Sequence, residues 1–328
     1  MRKDALVVTL LLVLLSQAAR AEDGPVYRKS LISFRNAVSA RTLQPEEDLT
    51  YDPTYSLLLE LAPTGWFGDV FYGQARLAIE REATNSDDTT YRGETQISDL
   101  ALRVGASRFV TIPGAGIDLS ATFDIVTPTS KVTRARTGIL GLEPGVSLRR
   151  NFDVLGGISV GYGFQALKWF NRSTTAERET PLIATCSATF GCDSFTSMGN
   201  RNTSWRLINA FDASVAFTKW VSLGATVVLY TDTLYPSVSS DPATGTSANF
   251  VPQEPTDLRH LVLYELEVAF QPMDGVELAV GTSTFNPQLA PDSARYAPFI
   301  NRYTALFIDL RVELGAFVTG ITSRSHAD

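Results

Sequence analysis

The chain has 328 residues, enough for one to three domains on length alone. Its 28 Lys plus Arg against 35 Asp plus Glu leave a formal net charge of -7, a balance that argues against nucleic acid as a partner, since such binders show a basic face. The mean hydropathy of +0.02 excludes a set of membrane helices but says nothing of membrane strands, whose alternating residues average near neutral.

The first segment reads as a leader. Arg2 and Lys3 make a positive start, Ala5 to Leu15 is an apolar run, and Ala19-Arg20-Ala21 fits a small-x-small cleavage pattern, so cleavage is expected between Ala21 and Glu22. The apolar run is too short for a spanning anchor, which needs about 20 residues. No cysteine lies near the cleavage site to carry a lipid. Residues 1–21 are read as a signal peptide and 22–328 as one exported domain.

From Lys29 onward the main signal is alternation with period two. About twelve strands are predicted, at roughly 29–39, 55–61, 71–80, 97–106, 116–125, 138–149, 157–168, 205–217, 221–232, 261–271, 276–283 and 304–315. Gly116 to Ile125 shows the pattern best: Ile117, Leu119, Ala121, Phe123 and Ile125 point one way, and Asp118, Ser120, Thr122 and Asp124 the other. In the last strand Leu306, Ile308, Leu310, Val312 and Leu314 oppose Asp309, Arg311 and Glu313. Helical periodicity is absent beyond the leader.

The connections alternate in length. Those near 40–54, 81–95, 126–137, 170–204, 232–257 and 284–302 are long and polar, whereas those near 62–69, 107–116, 150–156, 218–220 and 272–275 are short. Pro272-Met273-Asp274-Gly275 is a turn signal. Long loops on one side, short turns on the other and an even strand number describe an all-β, single up-and-down antiparallel transmembrane barrel. Aromatics lie near both strand ends, with Trp66, Phe67, Phe109, Phe152, Trp220 and Phe270 toward the short turns and Tyr51, Tyr55, Trp169, Phe170, Trp205 and Tyr303 toward the long loops. Two such belts are expected at the headgroups.

A soluble sandwich also alternates, with its apolar face inward. Here the apolar face is almost free of charge in every strand, as lipid requires, because Lys or Arg at the midplane costs about 2–4 kcal/mol. The other face carries charge along many strands and is read as the lumen. Candidate pore-lining residues are Arg76, Asp99, Arg103, Asp124, Arg206, Asp212, Glu265, Glu267, Asp309 and Arg311. Arg35, Glu60, Glu80, Asp118 and Glu313 share that face, and acidic residues outnumber basic ones, which favours cations in a pore. The same charges could instead form ion pairs that fill a narrow barrel. Gly157, Gly161 and Gly163 also face this way, leaving space or seating bulky groups.

The pattern resembles the bacterial outer-membrane β-barrel superfamily, in particular its twelve-stranded members, over the leader and nearly all of the remaining chain. No specific family motif carries it. The resemblance implies an integral outer-membrane location, membrane lipid and the barrel assembly machinery as partners, and no cofactor. Members often end in an aromatic that assembly reads; here the last strand is expected to carry Phe307 and Phe317, and the chain continues to Asp328.

Cys186 and Cys192 share one polar segment, and in an oxidising compartment they are expected to form a loop disulfide. A metal site there would need further ligands, and that segment has no histidine. The two histidines, His260 and His326, offer no identifiable nucleophile–base pair. The His-x-Ser element of outer-membrane phospholipases is missing, since His260 is followed by Leu261-Val262. The sequence therefore points to a passive pore for small polar or cationic solutes, not an enzyme. The alternatives are a filled barrel acting through its loops as a structural or adhesion protein and, more remotely, a soluble periplasmic β-protein.

Overall fold

The structure, a computed structural model, describes residues 25–39, 54–84, 91–176, 201–236, 257–289, 295–301 and 303–325. The expected cleavage point at Ala21 and Glu22, the cysteines Cys186 and Cys192, Tyr51 and His326 lie outside these residues.

Alternating residues fold as antiparallel strands throughout: β1 (Leu31–Ser39), β2 (Tyr55–Ala62), β3 (Thr64–Phe67), β4 (Phe71–Glu82), β5 (Thr95–Ile97), β6 (Leu100–Ile112), β7 (Ile117–Thr127), β8 (Gly138–Phe152), β9 (Ile158–Asn171), β10 (Thr203–Thr218), β11 (Val221–Leu234), β12 (Leu258–Met273), β13 (Val276–Pro287) and β14 (Thr304–Glu313). β2 and β3 are one stave interrupted at Pro63, and β5 and β6 one stave interrupted at Ser98-Asp99, so the ring has twelve staves. Each stave pairs with its sequence neighbours, and β1 pairs with both β2 and β14. The ladder from Leu31↔Glu313 to Ser39↔Ala305 shuts the ring. Closure leaves no sheet edge, which a sheet in lipid requires because no water is there to satisfy free backbone groups.

The hairpins follow local chemistry. Asp274-Gly275 is the two-residue turn between β12 and β13, with Gly275 at φ 75°, a left-handed conformation that glycine adopts without steric cost. Pro144 sits in β8 opposite Phe123 of β7. The ladder to β9 skips Glu143 and Pro144, since proline has no N–H to donate.

Burial is the inverse of a soluble protein. Asp124 is 0% exposed while its neighbours Phe123 and Ile125 are 39% and 38% exposed. Asp309 is 2% exposed between Ile308 at 52% and Leu310 at 43%. Charge is inside and oil is outside, so the apolar exterior is the lipid face and the soluble-sandwich alternative does not fit the fold.

Four expectations are corrected. The chain is helical after β14: Leu314–Ser325 forms α2, so the last strand stops at Glu313 and Phe317 lies on a helix. The Glu313 carboxylate, expected to face the lumen, accepts hydrogen bonds from Gly315 N–H at 2.9 Å and Ala316 N–H at 3.1 Å and so caps that helix. A short helix α1 (Lys131–Ala135) interrupts the β7–β8 loop, with Ser130 as its N-cap. Trp66 and Trp169 are not belt residues. Each is adjacent to an outward aromatic, Phe67 or Phe170, both 42% exposed, and successive strand residues cannot share a face. Trp66 is 3% exposed and donates from Nε1 to the Arg28 carbonyl at 2.8 Å.

Candidate functional site in the barrel lumen

Residues of inward parity form three charged groups. The largest lies on β12, β13, β14 and β1. Arg35 Nη1 donates to Glu265 at 2.9 Å and its Nη2 to Asp309 at 3.1 Å. Arg311 donates to Glu267 at 2.6 Å, to Glu277 at 2.8 Å and to Asp309 at 2.9 Å. Two guanidiniums thus serve four carboxylates, leaving this wall net negative. The Arg35 guanidinium also lies over the Phe307 ring at 4.0 Å. Arg35 reaches Glu265 past both β14 and β13, a reach that only the concave face of a closed sheet permits.

On the facing wall, Arg103 of β6 holds Asp124 of β7 with two bonds of 2.7 Å, and Arg76 of β4 stands 3.7 Å from the same carboxylate. Arg149 of β8 reaches Asp212 of β10 at 2.8 Å across β9, where Gly161 lies between them. A Cβ on Gly161 would stand 2.2 Å from Asp212 Oδ1, so glycine is what seats that carboxylate. Gly105 and Gly281 likewise underlie the Tyr72 and Phe307 rings. Lumen glycines here make room for large neighbours along the wall.

The third group is at the long-loop end. Arg206 of β10 holds Asp232 of β11 through Nε at 2.6 Å and Nη2 at 2.8 Å. Asp99, expected along a strand, lies instead at the break between β5 and β6, where Ser98 pairs with Ala78 and turns the chain. Its carboxylate accepts from Ser130 N–H at 2.8 Å and from the Thr133 hydroxyl. His260 stands on β12, opposite Thr231 of β11, with its Nδ1 3.3 Å from the Thr231 hydroxyl. Among the described residues no group of His, Cys, Asp and Glu could hold a metal ion.

The sequence reading missed several members of these groups. Glu277, Arg149 and Asp232 have the inward parity of their strands and could have been found by extending the alternation to the strand ends. Trp169, one residue past the expected end of its strand, shares the parity of Gly161 and Gly163 on β9 and could have been found in the same way. Arg136 could not, because its position depends on how a loop folds.

No family model matches this chain, and no curated protein matches it. Solved structures do. An outer membrane channel from Pseudomonas putida F1 is similar at a TM-score of 0.53 and 11% identity, covering 89% of this chain and 97% of that one. The NanC porin is similar at a TM-score of 0.42 and 8% identity, over 86% of this chain and 98% of that one. The translocator domain of the autotransporter NalP from Neisseria meningitidis follows at 0.35 and 11%, over 95% and 96%. Closed ring, outward oil and likeness to the first of these agree: the chain has the fold of the outer-membrane β-barrels.

Proposed function

We propose that the protein is a passive outer-membrane pore for small polar solutes, with a preference for cations. The observation that carries this reading is how the interior charges are arranged. Among the described residues, every ion pair between staves joins strands at most three places apart round a ring of twelve. These pairs run along the wall, and among the described residues none crosses the lumen. The excess of carboxylates around Arg35 and Arg311 supports the cation preference. Export with cleavage between Ala21 and Glu22, a Cys186–Cys192 cross-link, insertion by the barrel assembly machinery and residence in outer-membrane lipid belong to the same proposal.

The test is conductance of the refolded protein in planar bilayers. Stable open steps are expected, with a reversal potential in a KCl gradient of the sign for potassium over chloride. Silence from protein that shows heat-modifiable mobility would favour a filled barrel working through its loops.

A further inference from the structure

At the long-loop end the β7–β8 connection is pinned from two sides. Asp99 holds its start through Ser130 and Thr133. Its end is held by the Arg136 carbonyl, which accepts from Asn171 Nδ2 at 2.7 Å and Asn202 Nδ2 at 2.8 Å. Between these anchors is a cavity of about 170 Å³, lined by residues including Asp99, Arg136, Trp169, Asn202 and Arg206. At about 30 Å³ per water, it has room for five or six waters or one small organic molecule.

The charges round this cavity are unbalanced. Asp232 accepts from Arg206 through both oxygens and from the Thr203 hydroxyl at 3.2 Å. Arg259, the register partner of Asp232 on β12, makes no ion pair with that carboxylate. Among the described residues, neither the Arg259 nor the Arg136 side chain has an ion-pair partner. Arg136 is accessible to solvent yet surrounded by protein. Burial lowers its guanidinium pKa from the ordinary value, and the charges of Arg206 and Arg259 add to this, against Asp232 and Asp99. An arginine with free donors among like charges is stabilised by a carboxylate.

The cavity lining also holds a carboxylate, that of Asp99. Each Asp99 oxygen accepts one hydrogen bond and keeps capacity for another.

We propose that this cavity binds a small zwitterion carrying a carboxylate and an ammonium group, with the carboxylate on Arg136 and the ammonium on the Asp99 side, over the Trp169 ring. This deepens the pore reading by naming a solute class, although binding itself does not require conduction. A zwitterion also suits a lumen whose mouth has unpaired arginines and whose opposite wall is acidic.

The test is binding of L-glutamine to the refolded full-length protein in detergent, by equilibrium dialysis, alongside L-glutaminamide, which lacks the carboxylate, and glutaramate, which lacks the ammonium. Saturable binding of L-glutamine alone is expected. Arg136→Gln should weaken it by about tenfold or more, as loss of a charged hydrogen bond does, with Arg136→Lys intermediate. Asp99→Asn should weaken it too. No saturable binding by a heat-modifiable, folded wild type, equal binding by Arg136→Gln, or glutaramate binding as tightly as L-glutamine would overturn the proposal. Bilayer currents separate it from the pore reading: binding without current sinks the pore and leaves the site, while current without binding does the reverse.

Discussion

Two carboxylates of similar sequence context make opposite predictions. Asp124 is buried under Arg103 and Arg76, so Asp124→Ala leaves the Arg103 guanidinium buried without its partner. Loss of one member of such a pair costs about 3–5 kcal/mol. Asp212 pairs with Arg149 where both side chains are well exposed, at 35% and 54%, and Asp212→Asn should cost under about 1 kcal/mol. Urea titration in lipid vesicles, followed by tryptophan fluorescence, should show the first midpoint falling well below wild type and the second nearly unchanged. Equal shifts would mean that burial is not what distinguishes the two pairs. Glycines divide in the same way. A Cβ on Gly281 would stand 2.3 Å from the Leu266 carbonyl, a backbone atom, whereas one on Gly163 meets nothing nearer than 3.8 Å. Gly281→Ala is expected to destabilise by about 1–3 kcal/mol, as overpacking does, and Gly163→Ala to be near neutral. At this scale the parity of each charged residue was legible in the sequence, because alternation fixes the face. Which acid met which arginine was not. Arg35 and Asp309 are neighbours only because the ring closes, and Arg149 reaches Asp212 only because Gly161 leaves room.

Among the elements, strands were the legible part. A strand facing lipid on one side and a charged lumen on the other must alternate, and each expected strand is present with ends shifted by a few residues. The helices were not legible. α1 has five residues, too few to show a period, and α2 begins where the alternating pattern still runs through Val312 and Leu314. What ends β14 is Glu313, whose carboxylate accepts from Lys29, Gly315 and Ala316 N–H groups. Glu313→Ala should loosen α2 by about 0.5–2 kcal/mol, the range for lost N-terminal caps. Amide hydrogen exchange would register faster exchange at Gly315 and Ala316, with β13 and β14 protected as before. Unchanged exchange at those two amides would remove the capping role. On the outer face, Leu310 stands toward lipid, 43% exposed, and Leu310→Arg should cost about 2–4 kcal/mol and reduce the heat-modifiable fraction on refolding into vesicles.

For the whole molecule, oil outside and paired charge inside make the bilayer part of the fold. The purified mature chain is accordingly expected to need detergent or lipid to stay monodisperse. If size-exclusion chromatography in plain buffer gave a sharp monomer peak, the outer surface would have to be covered in some way the ring does not provide. Architecture at this scale was readable from loop lengths, since long and short connections alternate only when strands go up and down in turn. The cavity at the long-loop end was not readable, because Asp99, Arg136 and Asn202 are brought together by connections that carry no period.

The ladder between β1 and β14 has a kinetic consequence. Its Arg35–Asp309 contact joins residues 274 positions apart, so the seam is the last piece of order the chain can acquire and the costliest in loop entropy. Until the final strand arrives, the first one presents an open edge to any other chain, and the protein is most prone to mispair at that moment. Because both strands end on the same rim, a short linker between them, with new termini cut into another short turn, would make this late pairing an early one. Such a rearranged chain should shut faster and leave fewer aggregates, though the finished cylinder would be the same.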